Sequence, residues 1–205
     1  MTESQNHWKT AYQTKRTNEV SWYQDRPEIS LNLIDRTGID RDSAILDAGG
    51  GASTLVDHLI EKGFKNVTVL DISSAALKVA KERLGDKANQ AEWMEADITK
   101  GKLPPEAYDL WHDRALFHFL TQAEGRKRYG HTLRHSLRSG GHVVISTFSL
   151  DGPSRCSGLD VQRYDAKLLN AELGKEFNLI ETVNEEHPTP LGTTQKFIYC
   201  RFKKK

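Results

Sequence analysis

The chain has 205 residues, long enough for one domain that buries roughly 70% of its unfolded surface without disulfides or metals. Lysine and arginine number 29 against 28 aspartate and glutamate, and the net charge of +1 gives no global field for a polyanion or an anionic membrane. Two cysteines, no apolar leader and no run near the ~20 apolar residues of a membrane span set the expectation of a cytoplasmic protein with no nucleic-acid or membrane partner.

Residues 1–27 are polar but carry Trp8, Tyr12, Trp22 and Tyr23. Rings at this density ahead of the first core strand must cover something. They either pack on a sheet edge or close as a lid over a bound ligand and exclude water. Pro27 to Thr37 predicts a helix stopped by Gly38, with Ile29, Leu31, Leu33 and Ile34 as its apolar faces. A buried parallel strand follows from Ala44 to Ala48 and runs through Asp47 into Gly49, Gly50 and Gly51. Three glycines in a row remove every Cβ from the turn. Backbone N–H groups and the N-terminus of the helix predicted from Ser53 to Lys62 can then approach a ligand closely.

The next apolar run, Val67 to Leu70, ends at Asp71. A carboxylate at a second strand tip suits a ribose diol, because it accepts two hydrogen bonds at once. Thr54 stands where a dinucleotide fingerprint would carry its third glycine. Asp47 would also repel a pyrophosphate, whereas it suits a positively charged group such as the ammonium of a methionine moiety. S-adenosylmethionine therefore fits better than NAD. The helix from Ile72 to Leu84, opened by Ser73 and Ser74, leads to a third strand from Ala91 to Ala96 with Asp97 at its end. Asp97 reads either as a turn cap or as a third carboxylate at the ligand side of the sheet.

The order and spacing of D-A-G-G-G from Asp47, V-L-D-I-S around Asp71 and E-A-D-I around Asp97 resemble class I S-adenosylmethionine-dependent methyltransferases. The resemblance implies an α/β fold: a Rossmann-like doubly wound sheet, mostly parallel, with a C-terminal antiparallel hairpin strand. Residues 1–27 would form an aromatic lid segment and residues 28–205 a single methyltransferase domain. Asp47, Ala48 and the three glycines would hold the methionine end, Asp71 with Ile72 the ribose, and Asp97 with Ile98 the adenine. Trp8, Tyr12, Trp22 and His112 would close around the sulfonium.

Tyr108 to Trp111 predicts a fourth strand, which places His112, Asp113 and Arg114 at its carboxyl end, with His118 shortly after. Asp113 and Arg114 could be a structural ion pair and His118 a packed histidine, yet polar groups beside the glycine turn are costly unless paired or used. His112, Asp113, Arg114 and His118 are thus the candidate catalytic residues, the two histidines and the aspartate as bases. The run W-H-D-R-A-L is similar to the W-D-R-G-A-L segment of thiopurine methyltransferases, with His112 inserted and alanine for glycine. In that family the arginine lies beside the acceptor, which implies a substrate role for Arg114. The N-terminal aromatics are similar both to thiopurine methyltransferases and to an F-x-W-Y motif of some protein-lysine methyltransferases.

Thr121 to Arg138 predicts a basic helix with a solvated face; His131 and His135 lie one turn apart, but no glutamate follows His131 and no metal is expected. Ser139-Gly140-Gly141 turns the chain into a fifth strand, His142 to Phe148. The loop from Asp151 to Val161 is long and is a candidate substrate wall, contributing Arg155 and Cys156. A helix from Asp165 to Leu173 precedes two strands, Phe177 to Asn184 and Lys196 to Phe202, whose connection carries His187. Tyr23, Arg114, Arg155, Cys156 and His187 complete the expected substrate side. The leading functional expectation is methyl transfer to a small molecule bearing a thiol or other heteroatom. A protein-lysine N-methyltransferase is the alternative, and a non-catalytic cofactor-binding sensor is the rival of another class.

Overall fold

The computed structural model describes residues 3–14, 19–100, 103–190 and 192–205. Helix α1 spans Glu3–Thr14 and α2 Glu28–Asp35. Alternating strands and helices follow: β1 Ala44–Ala48, α3 Leu55–Glu61, β2 Asn66–Asp71, α4 Ser74–Leu84, β3 Ala91–Glu95, β4 Tyr108–Arg114, α5 Ala123–Ser136 and β5 Leu137–Phe148. After a two-rung ladder of β6 Arg155–Cys156 and β7 Leu159–Asp160 come α6 Ala166–Leu173, β8 Phe177–Pro188 and β9 Thr194–Lys204.

The seven-stranded sheet has the order β3-β2-β1-β4-β5-β9-β8. β1 pairs in parallel with β2 and β4, and β3 and β5 extend the parallel set, while β9 is antiparallel to both β5 and β8. This is the mostly parallel, doubly wound sheet with an antiparallel C-terminal hairpin expected from the sequence. Both faces are covered, so the central strands read as nearly continuous apolar runs. Along them the side chains alternate: Ile45, Leu110 and Val144 pack toward α2 and α3, whereas Leu46, Trp111 and Val143 pack toward α5 and α6. The chain leaves β1 toward β2 and β3 on one side and returns to β4 and β5 on the other. Open α/β sheets bind ligands at such a reversal, outside the carboxyl ends of the strands.

Local chemistry sets the element boundaries. Ser73 Oγ accepts from the Ala76 N–H at the start of α4, and Asp165 Oδ1 accepts from the Leu168 N–H at the start of α6. Three expected boundaries shift. β4 continues to Arg114, so His112, Asp113 and Arg114 lie within the strand rather than beyond it. The Ser139–Gly141 turn is a bulge, because Tyr108 pairs with Leu137 and the next register pair is Leu110 with His142. The hairpin strands extend past Asn184 to Pro188 and start again at Thr194, up to the expected Pro188–Thr194 turn region.

Candidate functional site

After β1 the backbone turns through Gly49 at φ +73° and Gly51 at φ +43°, a left-handed conformation that glycine adopts without strain. The Gly49 and Gly50 N–H groups both donate to the Leu70 carbonyl, at 2.7 and 3.2 Å, which binds the turn to β2. No side chain would fit. A Cβ on Gly49 would stand 2.6 Å from Leu116, on Gly50 2.4 Å from Asp47 Oδ2, and on Gly51 2.8 Å from Asp71 Oδ2. The bare backbone thus lies directly against two carboxylates.

A cavity of about 260 Å³ opens over this turn, and Asp47, Asp71 and Asp97 all line it. Parallel pairing of β1, β2 and β3 brings the three acids to one edge of the sheet, as their places at or beside successive strand ends require. Asp71 is buried, and burial pushes its carboxyl up to about 7; the Ser73 N–H at 2.8 Å opposes the shift and the Asp47 charge adds to it. For Asp97, burial acts to raise the pKa, but the Thr99 hydroxyl at 2.6 Å, the Thr99 N–H and Lys100 together hold it below the usual carboxylate range. Asp97 therefore caps its own turn and also borders the cavity.

The rings of Trp8, Tyr12, Trp22 and Phe119 line the same cavity. Trp8 meets Phe119 edge-on at 5.0 Å and Trp22 at 5.8 Å, and Tyr12 meets Trp22 at 6.5 Å. Tyr23, Ile72, Ile98, His112 and Cys156 also line the space. Arg114 forms part of the wall, held by Tyr199 Oη at 2.7 Å and the Trp22 carbonyl at 2.8 Å, with Glu185 3.7 Å away. Its guanidinium stacks 4.7 Å above the Phe197 ring.

Four expected site residues are placed elsewhere. Asp113 is fully buried beneath β4: it accepts from Tyr129 Oη at 2.7 Å and from the Leu116 and Phe117 N–H groups. Burial raises its carboxyl to about 6 against those donors, and its job is to hold the turn through Ala115, where φ is +67°. His118 is packed between Phe119 and Phe148, accepts the Phe148 N–H, and is driven down to about 3 by burial and the nearby Arg114 charge. So weak a base, sealed off from the cavity, takes no proton from an acceptor there. Arg155 is exposed, pairing with Asp160 and donating to the Gly158 carbonyl, and His187 donates to the Ser21 carbonyl; neither lines the cavity. Ala48 and Gly51, before and within the turn, do not line the cavity themselves.

Sequence reasoning missed Phe119, Gln24 and Ser30. Phe119 was findable as an aromatic just past the fourth strand. Gln24 lines the cavity and donates to Glu185, and Ser30 contacts His112 from 82 positions away; nothing local marks either contact.

Residues 45–141 match the family described as a methyltransferase domain. The chain is thus similar to class I S-adenosylmethionine-dependent methyltransferases. It is 29% identical over 135 residues to malonyl-[acyl-carrier protein] O-methyltransferase 2 of Ilyobacter polytropus, covering 63% of this chain and 50% of that protein. To the EEF1A lysine methyltransferase 2 of Danio rerio it is 24% identical over 159 residues, covering 69% of this chain and 66% of that one. The chain thus spans about half the length of the first relative. A structure solved in work on the conversion of a disulfide bond into a thioacetal group during echinomycin biosynthesis superposes with a TM-score of 0.78 at 17% identity, over 98% of this chain and 92% of the other.

The methyltransferase cofactor, S-adenosylmethionine, suits the residues present. Asp47 Oδ2 is buried with no hydrogen-bond partner among the described residues, an acceptor waiting for a cationic donor. The glycine turn leaves backbone where any side chain would collide, and Asp71 faces it from the tip of β2. A ligand with an ammonium group and a ribose satisfies both carboxylates.

Proposed function

We propose that this methyltransferase transfers the methyl group of S-adenosylmethionine to a small-molecule acceptor that reacts through a thiolate or another soft heteroatom. Bound in the cavity, the cofactor supplies a methyl carbon activated on a sulfonium. Asp47 and the Gly49–Gly51 turn hold the methionine end, Asp71 with Ile72 the ribose, and Asp97 with Ile98 the adenine. Trp8, Tyr12, Trp22 and Phe119 form a lid that excludes water and turns aromatic faces toward positive charge. The transfer is an in-line displacement, so holding acceptor and methyl carbon at near-attack distance supplies roughly 7 to 11 kcal/mol of barrier lowering.

The distribution of charge in the cavity wall carries the choice of acceptor. Its three acids, Asp47, Asp71 and Asp97, are the groups this reading assigns to the cofactor. Arg114 is the one arginine or lysine among the described residues that line the cavity, and its Nη2 is buried without a hydrogen-bond partner among them. A protonated lysine would find that guanidinium and only Glu185, which Arg114 already pairs, whereas an anionic sulfur or oxygen can meet the open Nη2. Tyr23 and Cys156 also line the cavity and are assigned here to the substrate wall. Both cysteines are buried and in no disulfide, which supports a reducing, cytoplasmic setting. Among the described residues no helix is long and apolar enough to cross a membrane.

Methyl-tritiated cofactor incubated with enzyme and cell extract tests the reading. Label in the small-molecule fraction is the expected result. Label in precipitated protein would favour the lysine alternative, and tight cofactor binding without transfer would leave a sensor.

A further inference from the structure

We infer that His112 is a positioning residue for the cofactor: through Asp47 it aims one carboxylate oxygen at the cofactor's ammonium. Asp47 on β1 and His112 on β4 are register partners in adjacent parallel strands. His112 Nδ1 lies 2.7 Å from Asp47 Oδ1, and Nε2 lies 2.9 Å from Ser30 Oγ on α2. All three side chains are buried, at 2%, 1% and 0% exposure. Asp47 accepts, so Nδ1 carries a proton, and the Ser30 hydroxyl holds Nε2, as donor to a neutral ring or acceptor from a charged one. With both ring nitrogens engaged, His112 has no free nitrogen for an acceptor's proton.

The geometry divides the labour of Asp47. One oxygen is locked by imidazole, and the other, Oδ2, is buried and unpartnered among the described residues, facing the site where a Gly50 Cβ would stand. Without His112 the carboxylate could rotate about its side-chain bonds and turn Oδ2 away from the turn. Ser30 repeats the device one step out, fixing the imidazole as the imidazole fixes the carboxylate. Arg114 and Asp113, the next residues of β4, take different partners, so the chain from Ser30 to Asp47 is a separate network.

This inference rests on the cofactor reading above and concerns only one arm of the ligand. Two ligands separate the arms. S-adenosylhomocysteine carries the ammonium, whereas 5′-methylthioadenosine keeps adenosine and sulfur but lacks the amino-acid arm. Calorimetric dissociation constants for both are measured on wild type, His112→Leu, His112→Asn and Ser30→Ala, with melting temperatures on the same samples. Leucine should weaken S-adenosylhomocysteine about 10- to 30-fold and leave 5′-methylthioadenosine within about twofold, as loss of one charge-assisted hydrogen bond requires. Asparagine, whose amide nitrogen can occupy the Nδ1 position, should restore S-adenosylhomocysteine to within about threefold, and Ser30→Ala should cost about threefold on that ligand alone. If His112→Leu fails to fold, the asparagine and Ser30 variants carry the comparison through the ratio of the two constants. Parallel weakening of both ligands, or none of either, overturns the inference. Wild type that binds neither ligand overturns the cofactor reading, and this inference with it.

Discussion

Cofactor affinity should strengthen as pH rises through neutrality, because the group assigned to the ribose is protonated below it. Burial lifts the Asp71 carboxyl to about 7 in the empty protein. Only the ionised form can accept from both ribose hydroxyls, so bound ligand draws the proton off. At pH 8 roughly nine-tenths of Asp71 is ionised and at pH 6 roughly one-eleventh, so the dissociation constant of S-adenosylhomocysteine should rise about tenfold between them and about tenfold for each further unit of acidification, 1.36 kcal/mol per unit. Asp97, held below the usual carboxylate range, stays ionised throughout that window and adds no slope.

Folding stability gives the same proton a second readout. A carboxyl raised in the folded state binds more protons there than when unfolded, so its contribution to stability falls as pH rises from about 4 to about 7 and is level above that. Asp71→Asn removes the effect: the variant should gain on wild type in urea melts over that interval, and its weakened ligand affinity should be flat in pH. The assay is calorimetric titration from pH 5.5 to 8.5 on both proteins. A wild-type constant that does not move, or an Asp71→Asn profile parallel to wild type, would falsify the assignment of Asp71.

Gly50→Ala puts a methyl 2.4 Å from Asp47 Oδ2 and 2.8 Å from Val69; affinity for S-adenosylhomocysteine should fall about tenfold or more, read by calorimetry. Arg114→Ala should leave that affinity within about threefold while kcat/KM toward the acceptor falls, and it should lower stability by about 1 to 2 kcal/mol in urea because partly buried Glu185 loses its cation. Unchanged turnover would remove Arg114 from the acceptor side. Tyr129→Phe strips the donor from Asp113 Oδ2 and the acceptor from Trp111 Nε1, so unfolding should become easier by about 2 kcal/mol with cofactor affinity nearly unchanged. A large loss of affinity in that variant would place Asp113 in the ligand site after all.

The glycine turn and the three carboxylates were legible because their physics is local. Consecutive glycines strip a turn of Cβ atoms wherever the chain folds, and an acid closing an apolar run falls at a strand tip whatever surrounds it. The alternation of short apolar runs with helices marked an α/β chain, and the resemblance to class I methyltransferases supplied the mostly parallel sheet and its terminal hairpin. What became of the residues on β4 was decided by packing across the sheet. Neighbours in a strand point to opposite faces, so His112 turns toward Asp47 and Ser30 while Asp113 turns toward Tyr129, a choice set by register with β1. His118 looked like a base and is a core residue, and Arg155 and His187 stand outside the cavity, because distance from the glycine turn depends on how loop and hairpin dock. Composition and spacing thus settle which side chains can face a ligand at a strand end; only the packed tertiary structure, by bringing together groups dozens of residues apart, settles which of them do.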